Sequence, residues 1–207
     1  MIYLIWWSPR SGKTTLSKKL SQELSIPYIS TDYLRLVVIP YFQWDDKKEN
    51  FPFEEMFEKY NNVEIFYKNS KGKDILNADI KEAHTLWKGI MGFIQHLLLS
   101  KTDYIIEWVH FLPELVNTFK NNTEVKIVIL IKEDEQKIFD GLIENRWSGD
   151  WIADNIKDDT VLRSTAKSLS EYGKYFNEEW EKYWIHIINT EESFQSKISI
   201  AWDYLKI

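Results

Sequence analysis

The stretch Ile2-Tyr3-Leu4-Ile5-Trp6-Trp7-Ser8-Pro9-Arg10-Ser11-Gly12-Lys13-Thr14-Thr15 decides how this chain is read. Ile2 to Trp6 is an apolar run too short for a helix and rich in strand formers. It breaks at Ser8-Pro9-Arg10-Ser11-Gly12, and a helical pattern follows from Lys13 to Leu24, with Leu16, Leu20 and Leu24 on one side. A glycine, a lysine and a hydroxyl residue between a strand and a helix are the setting of a phosphate-binding loop. Backbone N–H groups at the helix N-terminus wrap a phosphate, the lysine reaches the β and γ oxygens, and the next hydroxyl holds Mg²⁺. Lys13 and Thr14 fill those two places, within a cradle made of Ser8, Pro9, Arg10, Ser11, Gly12, Lys13, Thr14 and Thr15. The full pattern, Gly-x-x-x-x-Gly-Lys-Ser/Thr, begins with a glycine, and that position is Trp7 here.

Working outward, Pro27 to Ser30 is a second short strand, and Thr31 or Asp32 can cap a helix with Leu34, Val37 and Val38 on its inner face. From Phe42 to about residue 75 the composition turns charged and aromatic, which predicts an insertion of short helices packed onto the main body. Ile75 to Ser100 reads as a long helix, with Ala83, Leu86, Trp87, Ile90, Phe93, Ile94 and Leu97 in register. Asp103 to Glu107 is a third strand and Val125 to Ile131 a fourth, apolar throughout as a strand buried on both faces should be. Helices are expected over Leu112–Phe119, Glu133–Asn145 and Asp158–Lys182. A fifth strand over Trp184–Asn189 and a closing helix over Glu191–Leu205 complete the pattern. Alternating strands and helices predict an α/β fold with a parallel sheet, in one domain of 207 residues.

The composition is that of a globular chain, with 44% hydrophobic and 28% charged residues. The absence of cysteine removes disulfide frameworks and thiolate zinc sites. No apolar run approaches the roughly 18–20 residues of a spanning helix. The apolar N-terminus lacks a basic leader and a small-residue cleavage site, so a soluble cytoplasmic protein without membrane contact is expected. A net charge of −6, with an acidic aromatic insertion, speaks against a nucleic-acid partner. Two features stand out: ten tryptophans, and only seven glycines.

The loop, together with Ile29-Ser30-Thr31-Asp32-Tyr33-Leu34-Arg35 and Ile105-Ile106-Glu107-Trp108-Val109-His110, resembles the nucleoside and small-molecule kinase branch of P-loop proteins. Within it the chain is most similar to 2-phosphoglycerate-kinase-like ATP-binding proteins, closely over about 25 residues and loosely over most of its length. The resemblance implies a three-layer P-loop fold: a five-stranded parallel sheet in the order 2-3-1-4-5, helices on both faces, and a lid at about 146–157. It implies ATP and Mg²⁺ as cofactors and a small anionic acceptor. It gives Asp32 the acceptor hydroxyl, Arg35 an anionic group of the acceptor, and Glu107 a place near the Mg²⁺. His110 would touch the acceptor, and Arg146 and Arg163 would neutralise γ-phosphate charge from the lid side. The residues carry a warrant of their own. Asp32 and Arg35 follow a strand at the carboxyl edge, where open α/β sheets bind ligands, and Glu107 ends a buried strand, where a carboxylate needs a cation close by.

Trp7 and Trp108 both stand where the family has glycine. They support a different reading: an engineered or degenerate P-loop scaffold whose cleft is filled by indoles, presenting an apolar surface to another ligand or a protein partner. On that reading the two indoles lie together over the cleft. A third reading is a nucleotide-binding protein with no acceptor, against which the Asp32/Arg35 pair speaks. The loop reading is tested first: Lys13→Ala is expected to remove most of the affinity for ATP, followed by tryptophan fluorescence, because Lys13 is the loop's ammonium.

Overall fold

The first strand, β1 (Ile2–Trp7), is buried at every position, which is possible only for a central strand covered on both faces. In the computed structural model it lies between β3 (Tyr104–Trp108) and β4 (Val125–Ile131), and all four pairings in the sheet are parallel. With β2 (Tyr28–Ser30) beside β3 and β5 (Ile187–Asn189) beside β4, the sheet has the order 2-3-1-4-5. The structure describes residues 1–9, 11, 13–108, 111–192 and 194–206, with the side chains of residues 13–15, 44, 108, 194 and 206 excepted.

Alternation along β1 divides the core. Ile2, Leu4 and Trp6 face α6 (Gly72–Leu99) and α9 (Asp159–Glu181), and the Trp6 ring packs 4.9 Å from Phe176 and 5.7 Å from Trp180. Tyr3, Ile5 and Trp7 face α1 (Lys13–Leu24) and α10 (Phe194–Lys206), against Leu16, Leu20, Ile198 and Trp202. Helices therefore cover both faces of the sheet, a three-layer α/β arrangement.

Between β2 and α6 run α2 (Thr31–Val38), a 3₁₀ turn over Ile39–Tyr41, and the short helices α3 (Trp44–Asn50), α4 (Pro52–Glu58) and α5 (Val63–Asn69). Phe51 and Phe66 are fully buried here, so the aromatic stretch packs inward, as its composition suggests. After β3 come α7 (Pro113–Val116) and, beyond β4, α8 (Glu135–Glu144). Val63, Ile138, Leu142, Ala153, Ile156, Val161 and Leu162 form a third cluster that joins α5, α8 and α9.

Several boundaries differ from the sequence reading for local reasons. Ser30 caps α2, its hydroxyl accepting the Asp32 N–H at 3.3 Å, so neither Thr31 nor Asp32 is the cap. Val37, expected inside, is 62% exposed, while Leu34 and Val38 pack on the core. The fifth strand starts three residues later than expected because Trp184 takes a positive φ of 57° and is 86% exposed.

One glycine is required by close packing. At Gly173 of α9 an added Cβ would sit 2.5 Å from the backbone carbonyl oxygen of Lys132, just after β4. Gly173→Ala is expected to cost about 1–3 kcal/mol, the usual penalty of overpacking, read as a lower midpoint in urea unfolding.

Candidate functional site

The carboxyl edge of the sheet gathers Ser8 after β1, Asp32 after β2 and Glu107 near the end of β3. Glu107 pairs in register with Ile5 on one side and Ser30 on the other, and is 3% exposed. Thr31, fully buried, reaches the Glu107 carbonyl oxygen from its hydroxyl at 3.5 Å. This edge lies where the connections leave β1 and β3 in opposite directions along the sheet, the position at which open α/β sheets hold ligands.

The loop after β1 is anchored to β4. The Ser8 N–H donates to the Leu130 carbonyl at 2.9 Å; its hydroxyl accepts the Lys132 N–H at 2.8 Å and lies 3.2 Å from the Lys132 carbonyl. Both donors of Ser8 are thus turned to β4, which corrects its expected part as a phosphate ligand: it pins the loop. The Ser11 N–H donates to the Ser8 carbonyl at 3.2 Å, which tightens the turn around Pro9. The Ser11 hydroxyl is buried and makes no hydrogen bond among the described residues. Arg10, Gly12 and His110 lie outside the described residues, as do the side chains of Lys13, Thr14 and Thr15 at the start of α1.

Arg35 departs most from expectation. Its Nε donates to Glu82 Oε2 at 2.6 Å, and its Nη2 lies 2.9 Å from Glu54 Oε2 and 3.4 Å from Glu82 Oε1. Its guanidinium carbon stands 5.6 Å over the Phe53 ring, and the side chain is 11% exposed. Burial alone would lower the Arg35 pKa; the hydrogen bond and charge of Glu82, with those of Glu54, more than reverse this and raise it. The expected clamp on an anionic acceptor is therefore corrected: the guanidinium is turned inward and held by two carboxylates. Glu82, fully buried on α6, also accepts the N–H groups of Phe53 and Glu54 at 2.8 and 3.1 Å, closing the first turn of α4. Glu82 escapes a reading by charge alone. Its signal is periodicity, since it stands on the buried face with Ala78, Leu86 and Ile90.

Asp32 opens the first turn of α2, and its Oδ2 accepts the Ser30 hydroxyl at 3.2 Å. Asp32 also acts electrostatically on Tyr172, a buried residue of α9. Burial first, then Asp79 and Asp32, hold its phenol well above the ordinary range, so it stays a neutral donor. Tyr67 of α5 is raised in the same way by burial, Asp79 and Asp150.

The two lid arginines are engaged elsewhere. Arg146 pairs with Asp159 at 2.5 Å, and Arg163 donates to Gln136 at 3.1 Å with its guanidinium carbon 4.0 Å over the Phe139 ring. Between them, Asp154 accepts the N–H groups of Trp147 (2.6 Å) and Gly149 (2.8 Å), both at positive φ. Glu64 of α5 accepts those of Lys157 and Asp158. The Ser148-Gly149-Asp150 stretch, within the segment expected to form a lid, is a capped turn.

Trp7 is 2% exposed and packs in the core beneath α1 and α10. Its register partner on β4 is Leu130, while Trp108 pairs with Trp6. The expectation that Trp7 lies beside Trp108 over the cleft is therefore corrected: residues 7 and 108 fall at alternate register positions, and the Trp7 ring belongs to the core.

No protein-family model matches the chain, and no curated protein does. Among solved structures, an uncharacterized protein from Eubacterium ventriosum ATCC 27560 is similar over 100% of this chain and 98% of its own, at a TM-score of 0.51 and 14% identity. Deoxyadenosine kinase from M. mycoides matches over 100% and 99%, at 0.50 and 14%. Shikimate kinase from Bacteroides thetaiotaomicron matches over 100% and 99%, at 0.49 and 14%. The chain has the fold of P-loop nucleoside and small-molecule kinases.

Because Trp7 is a core residue, its removal should cost stability without opening a nucleotide site. Trp7→Ala is expected to lose about 3–5 kcal/mol in urea unfolding, the usual cost of deleting a buried aromatic, with no gain in ATP affinity by titration.

Proposed function

We propose that the protein is an ATP- and Mg²⁺-dependent phosphotransferase that moves the γ-phosphoryl group to the hydroxyl of a small acceptor. The observation that carries this reading is the meeting, at one sheet edge, of the turn from β1 towards α1, Asp32 after β2 and buried Glu107 on β3, with Gly12-Lys13-Thr14 in the sequence between β1 and α1. The residue types fit the cofactors. A lysine, a hydroxyl and the N-terminus of α1 suit a triphosphate, and Thr14 with Glu107 would offer Mg²⁺ the oxygen ligands it prefers. When bound, the nucleotide supplies the phosphoryl group and the metal neutralises its charge.

In this reading Lys13 and the loop backbone hold and orient the phosphates. Asp32 accepts the hydrogen bond of the acceptor hydroxyl and takes its proton as the oxygen–phosphorus bond forms. His110 is proposed to contact the acceptor. Arg10, Arg146 and Arg163 are proposed as γ-phosphate contacts once the 146–157 segment closes as a lid, which for the last two requires exchange of their present partners Asp159 and Gln136. The anionic acceptor implied by the resemblance depends on Arg35, whose charge is already met by Glu54 and Glu82. The reading in which indoles fill the cleft loses its support at Trp7.

Asp32→Asn separates chemistry from binding. ATP affinity should stay within about threefold, while ADP release coupled to an acceptor falls by about 10²-fold or more, the scale of a positioned general base. Equal loss of both in the same titration and coupled assay would return Asp32 to a structural part in α2.

A further inference from the structure

Helix α2 is apolar on two sides. Leu34 and Val38 pack on the core beside its inward-turned cation, and a second apolar stripe points out. Tyr33 is 64% exposed, Leu36 59% and Val37 62%, and the stripe runs on through exposed Pro40 to Tyr41 at 85%. Positions 33, 36, 37, 40 and 41 follow the helical spacing that a globular chain normally uses to bury a face. The stripe is not remote from the candidate chemistry. Residues three and four apart are neighbours on a helix surface, so Asp32 has Arg35 on one side and Leu36 on the other. Arg35 turns inward to Glu82 and Glu54, which leaves Leu36, flanked by Tyr33 and Val37, as the exposed neighbour of the Asp32 carboxylate.

The charge of that neighbourhood is settled by the same contacts. One guanidinium faces two carboxylates at 2.6 and 2.9 Å, so the group is net negative. Asp79 and Asp32 both act electrostatically on Tyr172. An acceptor anion placed next to Asp32 would meet this field without the arginine that the resemblance assigns to it. An apolar body would instead cover surface that is now in water.

We propose that the phosphoryl acceptor is a hydroxyl compound that carries no anionic group and has an apolar body, its hydroxyl directed to Asp32 and its body resting on Tyr33, Leu36 and Val37. This rests on the phosphotransferase reading and names its substrate class. The step balances. The acceptor oxygen forms the new bond to the γ-phosphorus as the bond from that phosphorus to the β–γ bridging oxygen breaks. ADP leaves with the electron pair, and the hydroxyl proton passes to Asp32 and on to water.

The test uses the full chain with ATP and Mg²⁺ and a panel of uncharged aryl-alkyl alcohols, each paired with its carboxylate-bearing counterpart. Coupled ADP release should give kcat/KM at least about tenfold higher for the uncharged member. Leu36→Glu should raise the KM for that alcohol by about tenfold or more while leaving the KM for ATP unchanged. Preference for the carboxylate members, or an acceptor KM untouched by Leu36→Glu, overturns the proposal. So does light scattering in which Leu36→Glu turns a dimer into a monomer with the acceptor KM unchanged, since the stripe then serves a second copy. ATP binding, seen by tryptophan fluorescence, with no release stimulated by either member overturns the acceptor class and leaves the nucleotide site standing. Loss of ATP binding itself would overturn the phosphotransferase reading along with it.

Discussion

A carboxylate with no exposed surface, Glu82, holds together the part of the molecule on which the candidate site depends. It sits on the inner face of α6 and reaches two other helices at once. Its ion pair with Arg35 fixes α2, and its bonds to the N–H groups of Phe53 and Glu54 fix the start of α4. A buried charge of this kind is stable only while fully partnered, and removing one member of such a pair typically costs about 3–5 kcal/mol. The arrangement sets the rotation of α2: with Arg35 drawn inward, Asp32 is left at the sheet edge and the Tyr33–Leu36–Val37 face in solvent. The same contacts that position the candidate base therefore consume the cation that would have bound an anion.

The second constraint is the burial of β1 on both faces. A two-residue period sends Trp6 to Phe176 and Trp180, and Trp7 to the α1 and α10 side. Each indole fills a layer of the core, and this accounts for a bulky residue at the loop's first position without placing it in the cleft. The turn that follows is pinned by the Ser8 side chain to the backbone of Lys132, just after β4. Packing behind the loop and hydrogen bonding beside it supply stiffness in a loop whose first glycine is replaced.

Local pattern carried the fold. Strand alternation, the four-residue leucine spacing after Lys13 and the apolar run of Val125–Ile131 place the layers, and the resemblance supplied the strand order that the sheet adopts. The edge positions of Asp32 and Glu107 were legible because they lie at fixed offsets from strands. What was not legible depends on pairing across the chain. The Arg35 partners lie 19 and 47 residues downstream, at Glu54 and Glu82, and charge type alone does not say which carboxylates a guanidinium will meet. Alternation could have separated Trp7 from Trp108, but only with the β1–β3 register, which no local spacing contains. Glycine and serine mark a turn at 147–150, but that Asp154 fixes it is a pairing no local composition announces.

The acidic excess of the chain has a structural use that bears on the site. Asp134, Asp158 and Glu82 meet backbone N–H groups at the starts of α8, α9 and α4. Glu191 meets those of Glu133 and Asp134, and Glu64 those of Lys157 and Asp158. Carboxylates stabilise helix N-termini by hydrogen bonding and by the helix dipole, so each relieves donors that burial would otherwise leave unmet. They also divide the 146–157 segment into two parts. Ala153 and Ile156 are buried in the α5–α8–α9 cluster and anchor its second half. The first half carries exposed Trp147 and is held by bonds to Asp154, each worth about 0.5–1.5 kcal/mol net. The first half is therefore the less firmly held of the two, since its hydrogen bonds exchange with water while the apolar anchor of the second half does not.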